Sequence, residues 1–198
     1  MELYDGLNAG PRVAVSGALR LARMLPVLEA LGTPFLGELD AVVTACGAAE
    51  SSPGFESVAG KLRRWSDDLS GGVDVFLPDY YRATALAVAL LVAAPGGLSP
   101  SEVFGKINAN TGNFWNCCDN IVHKGGGFRD PALRSIKTTL RGVENAWFER
   151  DSQLLRQSGE PRHVLRARLR EIEEKAPTRR AMAREFVICA GWDGIDFR

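Results

Sequence analysis

The stretch DPALRSIKTTLRGVENAWFERDSQLLRQSG, residues 130–159, decides the fold class. Leu133, Ile136, Leu140, Val143, Trp147, Arg150 and Leu154 recur at alternating spacings of three and four, and six of these seven positions are apolar. That recurrence marks a single stripe along an α-helix. Pro131 after Asp130 opens the helix and Ser158-Gly159 closes it. At about 1.5 Å per residue such a helix spans roughly 40 Å, long enough to hold a facing helix along most of its length.

Working outward, Gly125-Gly126-Gly127 breaks the chain before this helix. Downstream, Pro161 opens a further helix with Leu165, Leu169 and Ile172 inward, which Pro177 is expected to interrupt. Thr178 then caps a last helix through Met182, Phe186 and Cys189, and Trp192 to Arg198 form a tail that carries Trp192 and Phe197. Upstream, Ser99-Pro100-Ser101-Glu102 is a capping box: a hydroxyl cap, a proline at the first helical position, and a carboxylate able to reach back to the cap's N–H. The helix it starts runs toward Gly125, with Gly105 and Asn110-Thr111-Gly112 as points where it would divide.

The N-terminal half reads as helices too. Val13 to Leu31 is apolar at helical spacing, with Gly17 and Pro26 expected to weaken or kink it. Thr33 and Pro34 provide a start signal for a second helix ending near Gly47, and Ser52-Pro53 for a third with Phe55, Val58, Leu62, Trp65 and Leu69 on one face. Val73 to Leu77 is a short strand or an extended linker into an alanine-rich helix beginning near Pro78. The expected fold is therefore all-α: an irregular antiparallel bundle of seven to eight helices, with one long helix near 130–158. A single domain, 1–198, is expected, with residues 125–128 as a hinge between lobes 1–124 and 129–198.

Composition narrows the function classes. Twenty-four basic residues balance 24 acidic ones, so no overall charge draws the molecule to nucleic acid or an anionic membrane. Residues 129–198 nevertheless carry 15 Lys and Arg against 11 Asp and Glu. The acidic first residues and the arginines Arg20 and Arg23 argue against a secretory signal, and the apolar run Ala83 to Ala94 is too short to cross a bilayer. Four cysteines without CxxC pairs fit reduced thiols and a cytoplasmic setting.

Three constellations stand out. The apolar positions Leu133, Ile136, Leu140, Val143, Trp147 and Leu154, with Trp192 and Phe197 of the tail, form a candidate surface for a protein partner or a second copy of the chain. Arg162, Arg166, Arg168, Arg170, Arg179 and Arg180 lie in a 23-residue basic run with only three glutamates among its charges, a candidate nucleic-acid surface; Arg and Glu pairs on a solvated helix account for the same pattern. Residues 108–124 hold five asparagines, poor helix formers, of which Asn113, Asn116 and Asn120 share a face, with His123 four residues after Asp119. Amides there offer both donors and acceptors for a small ligand or an enzymatic site, or a register-fixing network.

Neither a thiol–imidazole pair at ideal spacing, nor a metal-ligand cluster, nor a phosphate loop is present. The expectation is thus no catalytic residue, no metal and no cofactor. The leading reading is a helical interaction module, an adaptor, inhibitor or assembly subunit that self-associates through the long helix. Nucleic-acid binding by residues 161–184 and a small-ligand or enzymatic site on the Asn-rich helix are the alternatives.

Overall fold

A computed structural model describes residues 10–48, 54–70, 77–124 and 131–189. Every regular element among them is helical: α1 (Gly10–Ala30), α2 (Leu36–Gly47), α3 (Gly54–Ser70), α4 (Leu77–Ala93), α5 (Pro100–Lys124), α6 (Pro131–Gln157) and α7 (Pro161–Cys189). The hinge at 125–128, the Ser52-Pro53 signal, residues 73–76 and the aromatic tail with Trp192 and Phe197 lie outside the described residues.

The apolar positions of α1 bury Leu19, Leu21 and Leu28 completely, and the helix packs on α2, α4, α5, α6 and α7. One apolar core draws residues from all seven helices, from Val13 of α1 to Ile172 of α7. Both proposed lobes therefore contribute to the same core. Gly17 lets α1 lie close against α4 and α5: a methyl group there would overlap Val92 of α4 and touch Ile107 of α5. No helix among the described residues is long and apolar enough to cross a membrane.

Local signals set several boundaries. At Ser99 the backbone N–H donates to Glu102 Oε2 at 2.8 Å, and the Glu102 N–H donates to Ser99 Oγ at 3.4 Å, completing the capping box read from the sequence. The Ser99 hydroxyl also donates to Glu102 Oε2 at 2.6 Å, and this bond, with that from the Ser99 backbone N–H, holds the Glu102 carboxyl below its usual range. Gly32 closes α1 in the left-handed conformation at φ 62°, where its N–H donates to the Glu29 carbonyl and that of Thr33 to the Leu28 carbonyl. This pairing is a Schellman motif, which glycine permits without a Cβ penalty.

Three local expectations are corrected. Thr33 does not cap α2: its backbone is spent closing α1, its buried hydroxyl has no hydrogen-bond partner among the described residues, and α2 starts two residues after Pro34. Phe35 anchors that junction instead, its ring centroid 5.5 Å from that of Trp65 in α3. Gly105 and Asn110-Thr111-Gly112 do not divide α5, because buried Phe104, Ile107 and Phe114 fix it to the core on either side. Pro177 does not end α7, which runs on to Cys189. A mid-helix proline costs about 3 kcal/mol. Burial of Leu165, Ile172, Ala176 and Ala183 along α7, packed on α1 and α6, offsets that loss.

The long helix is present as α6, but its inward face is rotated from the apolar stripe. Among the described side chains Trp147 and Leu155 enter the core, Val143 is 39% exposed, and Leu154 is half-buried. Asp151 and Ser152 are each only 2% exposed. The physical reason lies on the neighbouring helices, which bring arginines to this face.

Candidate functional site

Arg23 sits in the middle of α1 and is wholly withdrawn from water, so its charge must be met inside the protein. Its Nε donates to Glu144 Oε1 of α6 at 2.8 Å, and its Nη1 donates to Asp151 two turns further along the same face. Asp151 also accepts from Arg168 Nε of α7 at 2.6 Å, and Glu144 accepts from Arg179 Nη2 of α7 at 3.0 Å. Arg168 reaches outward to Glu171, which Arg150 and Lys175 also contact. The Trp147 ring lies beneath Arg168, whose guanidinium carbon is 4.5 Å from the ring centroid; Arg179 stands at 5.8 Å.

This arrangement sets the protonation states. Burial works against the charged Arg23 guanidinium, but Glu144 and Asp151 override it and raise its pKa. Burial likewise opposes the Glu144 carboxylate, yet the charges and hydrogen bonds of Arg23 and Arg179 bring it down from 4.5 to about 2. Arg23 and Glu144 therefore stay ionised throughout the neutral range.

One turn earlier on α1, Arg20 builds the front of the same region. Its Nη1 donates to Thr111 Oγ1 at 2.6 Å and its Nη2 donates to Asn108 Oδ1, both on α5. Its guanidinium carbon lies 3.9 Å from the centre of the Phe148 ring on α6. Thr111 in turn donates to the Ile107 carbonyl at 2.6 Å, so its hydroxyl has a fixed orientation. Between these groups opens a cleft of about 300 Å³, with Trp115 on one wall, Phe148 on another, and Ser152 among its lining. The buried Ser152 hydroxyl has no hydrogen-bond partner among the described residues. Glu144 joins the two parts, lining the cleft while binding Arg23 and Arg179.

The residues singled out in the sequence have separate destinations. Of the Asn-rich helix, it is Asn108, Thr111, Gly112 and Trp115 that line the cleft, whereas Asn113 and Asn116 are exposed outside it. The side chains of Asn120 and His123 lie outside the described residues, as do those of Leu133, Ile136 and Leu140.

The basic run is dispersed. Arg168 is buried, and Arg179 belongs to the ion network. Arg166 donates to the Gly47 carbonyl and Arg180 pairs with Glu29, while Arg162 is half-buried and Arg170 exposed. Trp147 is buried beneath cations, Leu154 is half-buried, and Val143 faces solvent.

Sequence reasoning passed over Arg20, Arg23, Glu144, Asp151 and Ser152 as site residues. A signal was present: two arginines three apart in the otherwise uncharged run Val13 to Leu28 must be satisfied from elsewhere, and Asp151-Ser152 falls one turn from Trp147 on a core helix. Among the described residues no group of three or more His, Cys, Asp or Glu is arranged to hold a metal ion. No family model matches the sequence, and no similar protein was found among curated proteins or solved structures.

Proposed function

We propose that this chain is a small-ligand-binding helical protein whose ligand occupies the cleft between α1, α5 and α6. The observation that carries the reading is Ser152, a residue that lines a concave site and whose buried hydroxyl has no internal hydrogen-bond partner among the described residues. Leaving such a group unsatisfied costs about 1–3 kcal/mol, and a ligand atom at that position would recover it. Support comes from the composition of the walls, which combine two aromatic rings with a few converging polar groups on three helices. Arg20 locks Asn108 and Thr111 in place, so the polar groups are held before any ligand arrives.

The test is a fragment screen by two-dimensional NMR on the full chain, with the resonances of residues around Trp115 and Ser152 as the readout. The expected result is a set of hits that shift those resonances and lose binding in Trp115→Ala. Absence of any hit at the cleft overturns the reading.

A second reading, self-association through α6, draws on Val143. It is a large apolar side chain left exposed, and it continues the sequence spacing of Leu133, Ile136 and Leu140. Light scattering would give twice 21.5 kDa, reverting to the single mass in Val143→Asp. A strict monomer removes this reading.

A further inference from the structure

We infer that the ligand of this cleft is a small aromatic carboxylate, its ring against Trp115 and its anionic group toward Ser152 and Asn108. The inference rests on the ligand-binding reading above and names the chemical class.

The region behind the cleft is rich in donors and poor in acceptors. Three guanidiniums, Arg23, Arg168 and Arg179, face the buried carboxylate of Asp151 and the half-buried one of Glu144, and the third carboxylate, Glu171, is shared with Arg150 and Lys175 nearer the surface. Arg23 Nη2, Arg168 Nη2 and both Arg179 Nε and Nη1 are buried donors without an acceptor among the described residues. In a low-dielectric surrounding this surplus favours a negative ligand over a neutral one. Glu144 lines the cleft, but each of its oxygens already accepts from a guanidinium. Glu149 also lines the cleft; it is exposed and therefore screened by solvent.

The lining offers donors to match. Asn108 Oδ1 is taken by Arg20, so the amide presents its NH2, and Ser152 can donate its hydroxyl proton. Arg20 adds positive charge behind Asn108. Trp115 supplies a half-buried aromatic wall, and Phe148 is covered by the Arg20 guanidinium. With a liquid water filling about 30 Å³, a cleft of about 300 Å³ takes on the order of ten non-hydrogen atoms, the size of benzoate.

The test labels the full chain with 5-fluorotryptophan, assigns Trp115 through Trp115→Phe, and titrates benzoate, benzamide and acetate by fluorine NMR. Benzoate is expected to move the Trp115 signal with at least tenfold higher affinity than either of the other two. Ser152→Ala, which deletes only a hydroxyl without an internal partner, is expected to weaken benzoate several-fold and to leave the circular dichroism spectrum unchanged. Benzamide binding as tightly as benzoate overturns the inference and leaves the ligand-binding reading standing. Fragment hits at the cleft with no response to benzoate do the same. No hit of any kind removes both.

Discussion

Asp151 of α6 receives Arg168 of α7 at 2.6 Å and, through its other oxygen, Arg23 of α1, with none of the three side chains more than 4% exposed. One carboxylate thus joins three helices. Removing it leaves two buried guanidiniums facing each other, Arg23 with only Glu144 and Arg168 with only Glu171 as acidic partners. Asp151→Ala is expected to lower stability by about 3–5 kcal/mol, the usual loss when one partner of a buried pair is deleted. Urea unfolding measures it. The triple change Arg23→Met, Asp151→Leu, Arg168→Met is expected to cost less than the single one, because no orphan charge remains. Equal or greater loss in the triple variant would show that the ion pairs outweigh their desolvation.

Acid should weaken the fold through Glu144. Its carboxyl titrates near 4.5 when unfolded and at about 2 when folded, so the folded state binds the proton less readily. The contribution is fully present above pH 4.5 and is lost as pH falls toward 2. At about 1.4 kcal/mol per pKa unit it amounts to about 3 kcal/mol. Glu144→Gln is expected to destabilise the protein at pH 7 and to flatten this limb of the stability profile, as followed by thermal unfolding across pH.

Gly17→Ala sets propensity against space. Alanine is favoured over glycine in a helix by about 1 kcal/mol. Here the added methyl meets Val92 and Ile107, and overpacking of this kind costs about 1–3 kcal/mol. Net destabilisation is expected, relieved in the double variant with Val92→Ala. A stabilised single variant would mean that α4 moves away from α1 at little cost.

Cys46 should be a slow thiol. Burial pushes it up from 9.0 to about 11, with the Arg162 charge offsetting only part of the rise. Its thiolate fraction at pH 8 then falls about a hundredfold. Peptide mapping after a short iodoacetamide pulse is expected to find Cys46 unmodified in the folded chain and fully modified in urea. Rapid labelling without denaturant would contradict its burial.

Signals carried by neighbouring residues were legible in the sequence. The Ser99–Glu102 box, the amphipathic face of α3 and the extent of α6 follow from contacts within a turn or two of helix. Continuity through Pro177 was not, because distant packing of Ala176 and Ala183 decides it. The face of α6 was misread for a related reason. Apolar periodicity points to Val143 and Leu154, whereas Arg23, Arg168 and Arg179 demand carboxylates and draw Glu144 and Asp151 inward. The Asn-rich stretch lies on a helix that lines the cleft, but which of its residues do so, Asn108 rather than Asn113 or Asn116, follows from contact with Arg20, a residue 88 positions from Asn108.

The position of Arg23 constrains how the chain acquires its structure. Its acidic partners follow 121 and 128 residues later, so on a ribosome α1 emerges long before either carboxylate exists. Until then the arginine has only water to solvate it, and the apolar faces of α1 to α5 cannot close around an unmatched charge. Completion of the core must wait for α6 and α7, which makes the last third of the polypeptide a condition for consolidation of the first.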